Sequence, residues 1–318
     1  MKINTAEALI QNWTGRTDPE ADSWRWHQKI QPVQSDSPAG MALIGFACDA
    51  GVQRNHGRPG AIHGPQALRK QLANLPWLQT VPLYECGDIV CDDGDLETAQ
   101  QQLASHIAAQ LQAGHQPIVL GGGHEIAFAS WSGLAKHLAA TESQPRIGII
   151  NFDAHFDLRD PQCQAASSGT PFAQIAEVCA HKHWMFHYAC FGVSRMSNTL
   201  ALFNRADALG VCYAEDLQMT APQLSLLQQR LDRFMQACDH LYLTIDLDVF
   251  PASQAPGVSA PAARGVSLEV IEPLLIQIRN SGKLRLMDLA ELNPELDIDA
   301  HTARLAARLI HQMTLTQQ

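Results

Sequence analysis

The sequence predicts an α/β protein in three layers, with a central, mainly parallel sheet covered by helices on both faces. Two observations predict it. Short, continuous apolar runs suit strands buried on both sides, and amphipathic stretches of helical period lie between them. The first run is MALIGFAC from residue 41, followed by LETAQQQLASHIAAQLQAG, whose apolar positions recur at helical spacing. PIVLGGG from 117, RIGIINFD from 146 and YACFGVS from 188 read as the next strands. The chain then alternates: helix LSLLQQRLDRFMQAC, strand LYLTIDLD, helix LEVIEPLLIQIRN, strand LRLMDLAEL, helix AHTARLAARLIHQM. Residues 1–38 are polar and punctuated by Pro and Ser around Trp24-Arg25-Trp26-His27. They read as an N-terminal extension whose aromatic residues anchor it to the body. No repeat, low-complexity block or linker divides residues 39–318, which read as one domain.

Composition narrows the function. The chain has 318 residues, 46% of them hydrophobic, and a net charge of −10 from 22 basic and 32 acidic side chains. That sign argues against nucleic acid and polybasic membrane attachment, whose partners are polyanions. No apolar run approaches the ~20 residues of a spanning helix, and the opening lacks a basic-then-apolar leader. Eight scattered cysteines without a C-x-x-C pattern read as reduced thiols. The expected location is therefore cytoplasmic.

In open parallel sheets, ligands bind beyond the carboxyl ends of the strands. RIGIIN runs into Asp153-Ala154-His155-Phe156-Asp157, LYLTI into Asp246-Leu247-Asp248, and PIVL into Gly121-Gly122-Gly123-His124. Residues at i, i+2 and i+4 of an extended segment face one way, so Asp153, His155 and Asp157 converge, as do Asp246 and Asp248. Four carboxylates and two imidazoles at buried strand mouths repel unless cations neutralise them. Two divalent ions would do so. An oxygen-rich set with two imidazoles and no thiolate suits Mn²⁺ best, with Co²⁺, Fe²⁺ and Zn²⁺ as competitors.

GGGH, NFDAHFD, TIDLDVFPASQAPGVSAP and DLAELNPELD together resemble the arginase/agmatinase (ureohydrolase) superfamily in order and spacing, over about residues 41 to 312. The resemblance implies an arginase-like sheet of about eight strands and two Mn²⁺ per subunit. It implies one ion on His124, Asp153, Asp157 and Asp246, and the other on Asp153, His155, Asp246 and Asp248, so that Asp153 and Asp246 bridge. It further implies hydroxide as nucleophile, Asp157 as proton carrier and Glu291 as partner of the substrate's cationic C–N group. Relatives form trimers or hexamers, so the resemblance admits a homo-oligomer.

Departures from the family pattern point to the substrate. Arg159 stands two residues after Asp157, where arginases carry Asn. The amino-acid-gripping stretch is replaced by Ser167-Ser168-Gly169-Thr170-Pro171-Phe172, and Phe172 falls where arginases have a proton-shuttling histidine. GGDHS becomes GGGHE, so Gly123 removes a carboxylate before the histidine and Glu125 adds one after it. Arg54, Arg159 and Arg195 follow three of the apolar runs, and guanidinium forks suit carboxylates. Together they predict a tail with more than one negative charge, against agmatine and arginine. The loop Gly51–Gly60, with SSGTPF and GVSR, resembles the formimidoylglutamase branch. That branch implies Asn55 and Ser168 beside the arginines, and hydrolysis of N-formimidoyl-L-glutamate in histidine degradation. The competing expectations are a ureohydrolase acting on a guanidino acid and a metal-stabilised protein that binds without turnover.

Overall fold

A computed structural model describes residues 2–163 and 165–315. Met1, Gln164 and residues 316–318, which belong to the expected 1–38 and 39–318 segments, lie outside the described residues. The strands in chain order are β1 (Lys2–Asn4), β2 (Gln31–Pro32), β3 (Met41–Ala47), β4 (Leu83–Val90) and β5 (Gln116–Leu120). They continue with β6 (Ile147–Phe152), β7 (His187–Val193), β8 (Cys212–Glu215), β9 (His240–Asp246) and β10 (Leu284–Ala290). Strands β3 to β10 form one parallel sheet in the order β4-β3-β5-β10-β9-β6-β7-β8. This is the expected three-layer α/β/α, arginase-like architecture.

Alternation along each strand splits the core into two. Leu43, Ile118, Leu120, Ile150, Phe152, Leu241, Leu243, Ile245, Met287 and Leu289 join one cluster, covered by helices Gly64–Leu72, Leu224–Gln236, Leu268–Asn280 and His301–Thr314. Their neighbours Ala42, Ile44, Val119, Ile147, Ile149, Tyr242 and Leu286 face the other cluster, under Leu96–Gln112, Ile126–Leu138, Pro171–Lys182 and Leu200–Ala208. A strand covered on both faces has no reason to alternate polar with apolar. That is why these segments read as unbroken apolar runs.

β4 escapes that reading because Glu85 and Asp88 interrupt it. Both are buried. Arg69 compensates them, with Nε and Nη2 on the Glu85 oxygens at 2.8 Å each and Nη1 2.7 Å from Asp88. The Trp13 indole N–H adds a bond to Glu85 at 2.9 Å, tying residues 2–38 to the sheet edge. There β1 pairs antiparallel and β2 parallel to β4. Trp26 is fully buried against Trp77, whereas Trp24 is exposed. No helix among the described residues is long and apolar enough to cross a membrane.

For function, the decisive feature is the middle of the sheet. β5, β10, β9 and β6 are neighbours there, although they come from distant parts of the chain. Their carboxyl ends bring His124, Glu291, Asp246 and Asp153 to one place.

Candidate metal centre

Close backbone packing explains the glycines before His124. A Cβ at Gly121 would overlap the Leu289 carbonyl oxygen, and one at Gly122 the Cys48 carbonyl oxygen. Only glycine lets the chain leave β5 between the ends of β3 and β10. Glu291 then grips this turn. Its N–H donates to the Gly122 carbonyl at 2.8 Å, and its Oε1 accepts the His124 N–H at 3.0 Å.

Apart from Asp246, the last residue of β9, the acidic ligands are not carried on the extended strand that their spacing suggests. β6 ends at Phe152 and β9 at Asp246, and the remaining candidates lie on turns beyond. The carboxylates themselves cap those turns: Asp153 Oδ1 accepts the His155 N–H at 2.6 Å, and Asp246 Oδ1 the Asp248 N–H at 2.8 Å. Asn198 braces the first turn by accepting the Phe156 N–H at 3.0 Å and donating to the Ala154 carbonyl at 2.8 Å. Asp157 and Glu291 both have left-handed backbones (φ 48° and 69°). Such strain in side-chain-bearing residues is tolerated where the surroundings over-determine the conformation, often at functional sites.

The result is two groups of ligand atoms. His124 Nδ1 lies 3.0 Å from Asp153 Oδ2, 2.9 Å from Asp157 Oδ2 and 3.2 Å from Asp246 Oδ2. His155 Nδ1 lies 2.9 Å from Asp248 Oδ2 and 3.4 Å from Asp153 Oδ1. Asp153 thus faces both groups, one oxygen to each, and Asn151 Nδ2 steadies its Oδ2 at 3.0 Å. Asp246 contributes Oδ2 to the first group, while its Oδ1 is engaged by the Asp248 N–H. The donor set fits divalent cations. His124 Nδ1 is buried without a hydrogen-bond partner among the described residues and looks into carboxylate oxygens. This is a binuclear metal-site cluster in an arginase fold.

Behind His124 stand residues that the motifs did not single out. His124 Nε2 is 3.1 Å from Thr244 Oγ1. Nearby, buried Asp288 accepts the Tyr242 hydroxyl at 2.6 Å. Holding Nε2 in this way turns Nδ1 towards the carboxylates, a common device around ligand histidines. The available signal was a polar residue within an apolar run, Thr244 in LYLTID and Asp288 in LRLMD.

A cavity of about 390 Å³ opens over the cluster, and His124, His155, Asp157, Asp246, Asp248 and Glu291 line it. Asp153 is fully buried beneath. Of the expected substrate contacts, Asn55, Arg159 and Ser168 line the same cavity, and Asn55 Nδ2 donates to Ser168 Oγ at 3.2 Å. Among the described residues, the exposed Arg159 side chain makes no hydrogen bond or ion pair, which leaves its guanidinium free. Arg54 and Arg195 are placed elsewhere. Arg54 forks onto Glu97 at 2.6 and 3.0 Å, and Arg195 onto Glu215 at 2.6 and 2.7 Å. Neither lines the cavity. Arg58, which the arginine pattern did not single out, does line it, anchored on the carbonyls of Ser259 and Val258 at 2.8 Å each. Its signal was a second arginine in the Gly51–Gly60 loop.

Crowded charge shifts the ionisation of the cluster. Burial, with Glu125 nearby, lifts Glu291 to about 8, and burial lifts Glu125 to about 7. Burial and mutual repulsion also raise Asp157 and Asp246, and burial raises Asp248. The histidines resist the effect of burial. Carboxylates around them hold His124 and His155 well above their usual value, while those two imidazoles hold Asp153 low. Every raised group keeps a proton in the folded, metal-free protein at a pH where the unfolded chain has released it. These groups lower stability as pH rises, whereas His106, His115, His137, His187 and His311, held low by burial, act in the opposite sense until the unfolded chain has also released their protons. The metal-free protein is expected to lose unfolding temperature between about pH 7 and about pH 8, where only the raised groups of the cluster are still releasing protons. Saturating Mn²⁺ should flatten or reverse that slope, because an ion takes the place of the protons. Thermal melts across this range, with and without Mn²⁺, check it, and a metal-free slope of opposite sign would contradict it.

The model of the arginase family matches residues 39–316. The chain is 58% identical over 316 residues to a formimidoylglutamase of Aeromonas hydrophila, covering 98% of this chain and 99% of that one. It is 57% identical over 306 residues to a formimidoylglutamase of Aeromonas salmonicida, covering 95% and 96%. Among solved structures it is similar to Trypanosoma cruzi formiminoglutamase with Mn²⁺, at 26% identity and a TM-score of 0.76, over 87% of this chain and 93% of that one.

Proposed function

Because the chain belongs to the arginase family, we propose that it hydrolyses N-formimidoyl-L-glutamate to L-glutamate and formamide, a step of histidine degradation. The observation that carries this reading is the polarity of one cavity. A carboxylate cluster suited to cations lines its depth with Glu291, and the guanidinium of Arg159, unpaired among the described residues, stands in its wall. An amidinium head and a dicarboxylate tail match those two ends. The relatives over nearly the whole length are formimidoylglutamases, which supports the same substrate.

His124, Asp153, Asp157 and Asp246 would hold one ion, and Asp153, His155 and Asp248 the other, with Asp246 added by the family pattern. Mn²⁺ suits this oxygen-rich set, and the Trypanosoma cruzi structure contains it. Two such ions, when bound, make hydroxide available near neutral pH and steady the oxygens of the transition state.

The remaining work falls to side chains. Glu291, pushed up to about 8 by burial and by Glu125, gains a counter-charge when an amidinium enters, which favours its ionised form. Asp157 has a carboxylate at the cavity wall, placed to take a proton from the attacking water and deliver it to the leaving nitrogen. Phe172 serves no proton transfer. Its ring stacks on that of Tyr188, centroids 4.3 Å apart, and makes a T-shaped contact with His124 at 5.5 Å, which keeps that flank of the cluster apolar. Arg159, with Arg58, Asn55 and Ser168, would hold the tail carboxylates.

The test is a side-by-side assay of the Mn²⁺-loaded protein on formimidoylglutamate, arginine and agmatine. Glutamate and formamide should appear in equal amounts from the first, with little turnover of the others. Faster release of urea from arginine or agmatine would overturn the substrate. Stabilisation by formimidoylglutamate without product would overturn catalysis.

A further inference from the structure

The altered glycine-rich turn leaves a carboxylate on the wrong side of His124 for the family pattern. Glu125 is completely buried. Its side chain nevertheless reaches back to position 123: a Cβ added at Gly123 would overlap Glu125 Oε2 and Val52 Cγ2. Gly123 is not among the glycines with left-handed backbone, so its φ does not require glycine. The Glu125 carboxylate does. Gly51 makes room from the opposite side, where an added Cβ would lie 2.5 Å from the same carboxyl carbon.

Between these glycines the carboxylate is held asymmetrically. Oε1 accepts the Gly51 N–H at 2.8 Å and faces the Cys48 thiol at 3.5 Å. Oε2 is buried with no hydrogen-bond partner among the described residues and lies against position 123. Gln100 Nε2 pins the Glu125 carbonyl at 2.8 Å, so the anchor point is itself fixed. Gly51 lies in the first turn of the short helix Ala50–Arg54, which runs directly into Asn55, His56, Gly57 and Arg58 on the cavity wall.

We propose that Glu125 is a positioning residue that takes over the place of the family's aspartate at 123 and clamps the 51–58 segment onto the His124 turn. The clamp sets the separation between the ligand-bearing floor of the cavity and the loop that receives the substrate tail. This deepens the reading of the site as a formimidoylglutamate hydrolase and rests on it for the tail.

Exchange of the two positions tests it. E125S empties the space and leaves the Gly51 N–H unpaired, whereas G123D forces two side chains into one volume. Each alone should lower the unfolding temperature of the Mn²⁺-loaded protein and raise KM for formimidoylglutamate about tenfold, with kcat changed far less. The double variant G123D/E125S should recover most of both losses, and E125Q, which keeps the acceptor for Gly51, should stay close to the parent. An additive double variant, a silent E125S, or an E125Q as damaged as E125S would each overturn the clamp. Unfolding temperatures need no substrate. If the parent fails to turn over formimidoylglutamate, the substrate reading falls while the thermal cycle still decides the clamp.

Discussion

Alanine at Asp153 is expected to weaken both ion sites together and to lower turnover by more than about a thousandfold. Asp153 is the residue whose two oxygens face the two ligand groups separately, Oδ2 towards His124 at 3.0 Å and Oδ1 towards His155 at 3.4 Å. Loss of a partner that only orients a ligand costs roughly 10- to 100-fold in affinity or activity, so removal of a shared ligand must cost more. Its removal also leaves like charges behind. Asp157 and Asp246 approach the same imidazole nitrogen at 2.9 and 3.2 Å, and without an ion their repulsion is relieved only by taking up protons. Asp248→Ala is the matching control, since Asp248 belongs only to the His155 group. That variant should retain one tightly held ion per chain, whereas Asp153→Ala should retain neither. Metal content after gel filtration, measured beside thermal melts that establish folding, separates the two. An Asp153→Ala protein with two ions and parental activity would remove this carboxylate from the centre.

The ease of finding these ligands in the sequence has a physical cause. Each stands within a few residues of a doubly buried strand, whose apolar run is conspicuous, and parallel topology places all such ends on one side of the sheet. The convergence itself was legible, but its local geometry was not. Their spacing predicts that Asp153, His155 and Asp157 share one face of an extended segment. The structure instead brings them together through a turn that the Asp153 carboxylate caps and Asn198 braces from 42 residues away. A side chain folding back on its own backbone leaves no mark on periodicity. The same limit explains the arginines. Arg54, Arg159 and Arg195 look equivalent in sequence, each just beyond an apolar run. Two of them meet acidic partners, Glu97 on the Leu96–Gln112 helix and Glu215 at the end of β8. Such a choice is made by tertiary packing. β4 was hidden for a related reason, because Glu85 and Asp88 read as surface residues until Arg69 arrives from another element. Buried charge is deciphered from partners, and partners are distant in sequence.

Replacing Arg159 with Asn should separate substrate recognition from the metal centre. Arg159 lines the cavity with a side chain that is exposed and unpaired among the described residues, so its guanidinium is available to a carboxylate without first breaking an ion pair. Charge-assisted contacts of this kind, lost from one side, cost about 2–5 kcal/mol, or roughly 30-fold to several thousand-fold in kcat/KM. The low end applies here, because water still reaches the guanidinium and screens part of the attraction. The expected loss is therefore about 30-fold on formimidoylglutamate, with metal content unchanged. N-methylformamidine, which presents the reacting group without the dicarboxylate tail, should lose little. Lys at 159 should recover only part of the deficit, since an ammonium supplies charge without the planar fork. Arg54→Ala and Arg195→Ala complete the comparison. Both side chains already serve carboxylates outside the cavity, at 2.6 Å from Glu97 and from Glu215 respectively, so each should shift kcat/KM far less than Arg159→Asn. Equal losses on the full and the tail-less substrate would show that Arg159 braces its loop and grips no tail. A loss at Arg195 matching that at Arg159 would mean that substrate draws Arg195 away from Glu215 and into the site. Either result would redraw the recognition end of the cavity while leaving the cluster at its base as described.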